Sequence, residues 1–288
     1  MGHSVKEEPA TLLVGPYPPP VHLLRDLGIS LSFHGRERAT LSAPVAPAIC
    51  DRQGAVLPGV LATLVDVLGG SLAIRAIWPD WIVTSDLSVH ASDRPARGRI
   101  AAEGSLLRSG RNKVIIEADL FEEHGQGRGR VGYAMITLSR IRRAGEPVPV
   151  EAGWDSESTF TFAGEGAGFE RSCREKMGVA IVAEPAGGIE VPMTEYVRNS
   201  FGALQGGVVA ILADLAGEGA AGMAGGCPFV TRALQVHYLS PGRTGPFRAT
   251  ARLLDAGGDS ALTRVEVADR GDGDRLIAVA LNRAAACR

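Results

Sequence analysis

Two stretches of the chain are apolar almost all the way round a helical wheel, and each gives way to short runs in which apolar and polar residues alternate. The first covers residues 60–74 and the second begins at Val208. A helix apolar on every side is buried rather than laid on a surface. Each stretch follows a glycine-bearing turn and contains one aspartate. The pairs Gly54/Gly202, Gly59/Gly207, Val60/Val208 and Asp66/Asp214 are all 148 residues apart. One offset held over so many positions marks a duplication and predicts two domains of roughly 130 residues each.

The pattern along each copy runs in the same order. An arm over residues 1–20 ends in Tyr17-Pro-Pro-Pro. A short helix over 21–27 is stopped by Gly28, and short strands fill 29–42. After the buried helix, which ends near Trp78-Pro79, the period switches to two over 82–89, 100–107, 114–121 and 132–138, with turn residues between the runs. A Pro- and acid-rich linker occupies 144–164, so the domains are 21–143 and 165–288. The second copy repeats a short helix over 169–177, strands over 179–182 and 188–191, and a helix from Gly206. Strands at 229–238, 247–254, 261–267 and 276–282 follow. Gly217, Gly219, Gly222, Gly225 and Gly226 predict that this second helix is shorter or looser than the first. A single buried helix needs apolar surface on all sides, and an antiparallel sheet curled round it supplies that. The fold class is therefore α+β.

Composition narrows the function classes. The formal charge is −2 with both signs spread along the 288 residues, which offers no electrostatic footprint for nucleic acid or anionic membrane. Aromatics at 5% argue against base-stacking surfaces. Cys50, Cys173, Cys227 and Cys287 show no CxxC spacing and read as reduced thiols of a cytoplasmic protein. The first residues lack a basic region followed by an apolar core, and no uninterrupted apolar run is expected to span a membrane. The six histidines do not converge on a metal site, and His90 and His237, in alternating runs, read as strand residues. No cofactor is called for.

A carboxylate inside a buried helix must be hydrogen-bonded, paired or shifted in pKa. It is a site candidate, or else a structural residue that ties down a neighbouring segment. The surrounding residues resemble a known family. Asn199, Gly202-Ala-Leu-Gln-Gly-Gly207 and Leu212-Ala-Asp214, followed by Val230-Thr231 and Tyr238-Leu-Ser-Pro241, are similar to the hotdog-fold acyl-CoA thioesterases of the phenylacetyl-CoA thioesterase type. Leu64-Val-Asp66, Val83-Thr84, Asp86-Leu-Ser-Val89 and Arg94-Pro-Ala-Arg-Gly98 carry the same resemblance in the first half. It implies two tandem hotdog domains, each an antiparallel sheet wrapped round a central helix, forming an intramolecular pseudo-dimer. It also implies hydrolysis of acyl- or aryl-CoA, and a homodimer of such chains. The sequence departs from the family where a histidine precedes the glycine pair: Leu57 and Gln205 stand there, and Pro58 replaces the first glycine of the first copy.

Thioester hydrolysis needs a donor aimed at the carbonyl oxygen and a carboxylate that attacks the carbonyl carbon or activates water. Gly206 and Asp214 lie about 12 Å apart along one helix, so one helix cannot supply both groups. The resemblance implies two composite sites, each joining the helix start of one half to the acid of the other. The first combines Asp66 and Thr84 with Asn199, Gln205 and the Gly206 N–H, and Gly207 lies against the substrate. Asp66 acts as nucleophile or as general base. The second combines Asp214 and Thr231 with Asp51, Leu57 and Pro58. Because proline has no N–H and Asp51 adds negative charge, this second site is expected to be vestigial. Arg94, Arg97, Arg108, Arg111 and Lys113 are candidates for the CoA phosphates, or solvated turn charges. The alternative from another class is a non-catalytic acyl-CoA-binding or structural hotdog protein. An enoyl-CoA hydratase of this fold would need a histidine on the helix, and neither helix has one.

Overall fold

The computed structural model describes residues 17–142, 156–164, 166–182 and 188–287. The first half contains α1 (Leu23–Asp26), β1 (Ser30–Phe33), β2 (Arg38–Pro44), α2 (Pro58–Ile77), β3 (Trp81–Ala91), β4 (Arg99–Ser109), β5 (Lys113–His124) and β6 (Gly127–Ile141). A strand β7 (Ser158–Thr161) leads to the second half. There α3 (Cys173–Met177), β8 (Ala180–Val182), β9 (Gly188–Val191), α4 (Gly206–Gly225), β10 (Phe229–Tyr238), β11 (Phe247–Gly257), β12 (Ser260–Asp269) and β13 (Arg275–Ala286) repeat the order.

The strands form one antiparallel sheet of thirteen, ordered β7-β1-β2-β4-β5-β6-β3-β10-β13-β12-β11-β9-β8. The halves meet at its centre, where β3 pairs with β10 in register Leu87↔Val236 and Asp86↔His237. The histidine Nδ1 lies 2.6 Å from Asp86 Oδ1 across that junction, so His237 ties strands together. Alternation sets the curl: along β5 and β12 every second side chain is buried, and those faces close on the helices.

Helices α2 and α4 run antiparallel against each other inside the curled sheet. Their contact is set by glycine. A Cβ at Gly59 would stand 2.6 Å from the Ile211 Cα, and one at Gly207 would stand 2.5 Å from Thr63. The backbones can approach only because neither position has a side chain. The start of each helix therefore lies beside the middle of the other.

Two expectations are corrected. α4 is as long as α2, at 20 residues. Two of its glycines are packing positions: a Cβ at Gly217 would meet Asn282 Nδ2 at 2.7 Å, and one at Gly225 would meet the Phe229 ring at 2.3 Å. Burial outweighs their low propensity. Both long helices are also apolar enough to cross a membrane by length and composition, but 72% and 61% of their apolar windows are buried in the fold. Finally, residues 158–161 of the expected linker form β7, paired with β1 through Ser30↔Thr161 and a 2.8 Å contact between Ser32 Oγ and Thr159 Oγ1. Residues 144–155 of that linker and 1–16 of the arm lie outside the described residues.

Candidate active site

Asp66 sits in the middle of α2, opposite the start of α4, and its carboxylate is held from three directions. Thr84 Oγ1 donates to Oδ1 at 2.7 Å. Gln205 Nε2 donates to Oδ2 at 3.2 Å, and the Gly207 N–H also bonds the carboxylate. Local structure explains each placement. The β3–β6 register shifts between Thr84 and Asp86, a bulge that turns Thr84 toward the helix. Gln205 is the N-cap of α4, and its Oε1 accepts from the Val208 N–H at 3.0 Å. With its oxygen committed to the cap, the amide nitrogen faces Asp66. Gly206 must be small here, since a Cβ would stand 2.8 Å from Asp66 Oδ2.

Burial raises the Asp66 pKa from 3.8 to about 6, opposed by the bonds from Thr84 and Gly207. The residue keeps a partial opening to solvent. Two tyrosines to which the sequence reading gave no site role lie close by. Tyr238 donates to the Gly206 carbonyl at 2.9 Å, and Tyr17, from the arm, packs edge-on against His22. Burial, and then the Asp66 charge, raise both hydroxyl pKa values.

Asn199 is placed differently from expectation. Its Oδ1 accepts from the N–H groups of Phe201 and Ala203 at 2.9 and 3.0 Å. Asp51 does the same for Gln53 and Ala55 in the first half. Both residues shape the loop that leads into a long helix.

The second composite site is assembled with the same parts. The Gly59 N–H donates to Asp214 Oδ2 at 2.8 Å, and a matching register shift between Thr231 and Ala233 turns Thr231 inward. The geometry changes one part of the expectation for this site. The N–H that meets the carboxylate belongs to the second residue of each helix, Gly59 or Gly207, so Pro58 takes no donor from the acid and is a favourable helix start, but it has no N–H to offer an oxyanion where Gly206 has one. Asp51 is ion-paired with Arg94, which offsets its charge. Leu57 is buried and apolar.

What distinguishes the second site is polarity and closure. Asp214 is 0% exposed. Glu218, one turn further along α4, accepts from the Thr231 N–H at 2.8 Å. Asn282 Nδ2 donates to Thr231 Oγ1 at 2.7 Å. The Thr231 hydroxyl is close enough to both carboxylates to lower their pKa values, but it aligns poorly with Asp214 Oδ1, which has no hydrogen-bond partner. Burial raises the pKa of both acids, and the Asp214 charge raises that of Glu218 further. The 148-residue offset places Gly70 opposite Glu218. That contrast was readable in the sequence and was missed.

The five basic candidates do not form one cluster. Arg94 and Arg97 precede β4, whereas Arg108, Arg111 and Lys113 lie at or beyond its far end. Eleven residues of strand separate the groups by about 33 Å. Arg94 belongs to the Asp214 side. Lys113 lies opposite Ser139, which also faces Val83 of β3, so Arg111 and Lys113 sit at the sheet end where β3 begins. Among the described residues, no group of three His, Cys, Asp or Glu side chains is placed to hold a metal, and the four cysteines are unpaired.

Residues 201–275 match the model of the thioesterase superfamily. No curated protein matches the chain in sequence. Solved structures match nearly all of it. The tesB protein of Mycobacterium avium subspecies paratuberculosis is 12% identical, with 90% of this chain and 96% of that one covered and a TM-score of 0.57. An acyl-ACP thioesterase from Bacteroides thetaiotaomicron is 13% identical, with 86% and 97% covered and a TM-score of 0.54. A protein from Novosphingobium aromaticivorans, provisionally described as a thioesterase, is 16% identical, with 90% and 98% covered and a TM-score of 0.58. The chain thus has the tandem double-hotdog fold, shared over most of its length with thioesterase structures, and its second half carries the sequence pattern of the thioesterase superfamily.

Proposed function

We propose that the protein hydrolyses acyl-CoA thioesters at the Asp66 site. The observation that carries this reading is the Asp66 carboxylate itself: buried, raised in pKa to about 6, and held at the start of the partner helix by Thr84, Gln205 and Gly207. At neutral pH the group is largely ionised and able to take a proton from water or to attack the thioester carbon. The α4 start offers the Gly206 N–H and the positive end of the helix dipole to the developing oxyanion, since the Gly207 and Val208 N–H groups are bonded to Asp66 and Gln205. Gln205 cannot accept a proton in place of the family's histidine. Its role is to hold and orient the acid.

Either water adds to the acyl carbon as Asp66 takes its proton, and the C–S bond then breaks with that proton passing to the leaving thiolate, or Asp66 itself adds, the thiolate leaves, and water cleaves the resulting anhydride to regenerate the carboxylate. Arg111 and Lys113 lie at the sheet end where CoA phosphates would be met. Thiol release from a panel of acyl- and aryl-CoAs tests the reading. Wild type is expected to turn over, Asp66→Asn to lose at least about 100-fold, and Asp214→Asn to retain most activity. CoA binding without turnover by wild type would favour the non-catalytic reading instead.

A further inference from the structure

Gly70 and Glu218 occupy matched positions one turn beyond the two buried aspartates. On α2, the residues Asp66, Gly70 and Ile74, and Trp78 just past the helix end, share one face, and all four are partly open to solvent. A Cβ at Gly70 would meet only the Ile82 Cδ1, at 3.8 Å. On α4 the matching space holds the Glu218 side chain, bonded back to the Thr231 N–H beside Asp214, and Asp214 is sealed. The wall of the open face is aromatic. Trp81 packs edge-on against Phe201 of the other half with centroids 5.6 Å apart, and Trp78 packs against Trp81 at 6.3 Å. At the second site the 147-residue offset of Thr84/Thr231 and His90/His237 places Pro228, followed by Phe229, where Trp81 stands, and the 148-residue offset places Gln53 where Phe201 stands.

We infer that the Gly70 face of α2, walled by Trp81 and Phe201, is the groove by which a phosphate-bearing pantetheine arm reaches Asp66, and that Glu218 plugs the equivalent groove to Asp214. The choice of occupant rests on charge and shape. The face is partly open at Asp66, Gly70, Ile74 and Trp78 and bordered by aromatic rings, and the cations Arg111 and Lys113 stand at the sheet end where Trp81 begins β3, two strands or about 10 Å away. An extended thiol arm with phosphates at its outer end fits both features. This inference deepens the hydrolase reading, because the arm delivers the thioester that Asp66 would cleave. One working site per chain follows from a glycine in one half and a glutamate in the other.

The test is Gly70→Glu, which places in the first groove the side chain found in the second. Glutamate is a better helix former than glycine, so the variant is expected to fold. Two readouts are taken. The first is kcat/KM for an acyl-CoA, expected to fall roughly 100-fold or more because the thioester no longer reaches its position. The second is quenching of tryptophan fluorescence by free CoA, since Trp78 and Trp81 are two of the three tryptophans. Quenching is expected in wild type and not in Gly70→Glu. Lys113→Ala is expected to raise KM for acyl-CoA while leaving that for an N-acetylcysteamine thioester, which lacks phosphates, unchanged. Equal hydrolysis and quenching by wild type and Gly70→Glu would overturn the groove and leave the hydrolase reading intact. Equal effects of Lys113→Ala on both thioesters would overturn the assignment of the arm. Quenching in wild type, lost in Gly70→Glu, with no hydrolysis by either protein would uphold the groove and remove the hydrolase reading. The absence of both signals in wild type would remove both.

Discussion

Replacing Asp66 by asparagine should make the protein more stable at pH 8 while removing its activity. The carboxyl pKa is raised from 3.8 to about 6, so the folded protein holds this proton more tightly than the unfolded chain does. The ionised form therefore costs stability. The cost is absent below about pH 4, grows between the two pKa values, and is complete above about pH 6. Two units correspond to about 3 kcal/mol at most, and partial solvent access lowers this to about 2 kcal/mol. Asparagine keeps an acceptor for Thr84 and Gly207 but turns a second donor toward Gln205 Nε2, at a cost of about 1 kcal/mol. The net gain is about 1 kcal/mol, or a Tm higher by roughly 2–4 °C. Urea unfolding of both proteins at pH 8 and pH 4 measures it. An asparagine variant less stable than wild type at pH 8, or a gap of the same size at both pH values, would refute the reasoning.

Four other outcomes are expected. Gln205→Leu removes a hydrogen bond to an ionised group, worth about 1.5–3 kcal/mol, and should lower kcat/KM by roughly 10- to 100-fold, with the acid limb of the pH profile moved upward. Thr84→Val takes another donor from Asp66 and should likewise raise that limb; a limb that stays in place would show that Thr84 does not hold the working acid. Gly207→Ala would put a Cβ 2.5 Å from Thr63 and should cost about 1–3 kcal/mol in denaturant unfolding. Asp269 is fully buried and accepts N–H groups from Arg243, Thr244 and Gly245, so Asp269→Ala should lower stability by about 3 kcal/mol while the pH profile of turnover keeps its shape.

Features carried by local periodicity were readable from the chain. The buried helices, the order of strands and the 148-residue offset follow from spacing alone, and the resemblance to the hotdog-fold thioesterases implied the meeting of Asp66, Thr84 and Gln205 before any coordinates. Features decided by contacts between distant residues were not. The glycines of α4 looked like helix weakeners because their partners, Asn282 and Phe229, are remote or across a turn in sequence. The polar tetrapeptide of β7 has no strand-like alternation of burial and is ordered by pairing with β1. The basic residues looked clustered because sequence distance does not reveal that β4 carries them to opposite ends. Nor was it readable that the N–H of the second helix residue, Gly59 or Gly207, is the one that turns toward the acid, since that depends on the angle at which α2 and α4 cross.

The joining of β3 to β10 inside one chain also changes how the two sites can differ. In a dimer of identical single-domain subunits, whatever stands at the position of Gly70 stands there twice, and any change that closes one pocket closes both. Here the two helices are encoded separately, so the same position holds glycine in one and glutamate in the other. Each half can then specialise, one contributing the partly open acid and the other the helix start that faces it, while the sealed second pocket, with Asp214, Glu218, Thr231 and Asn282, can become a packed polar interior.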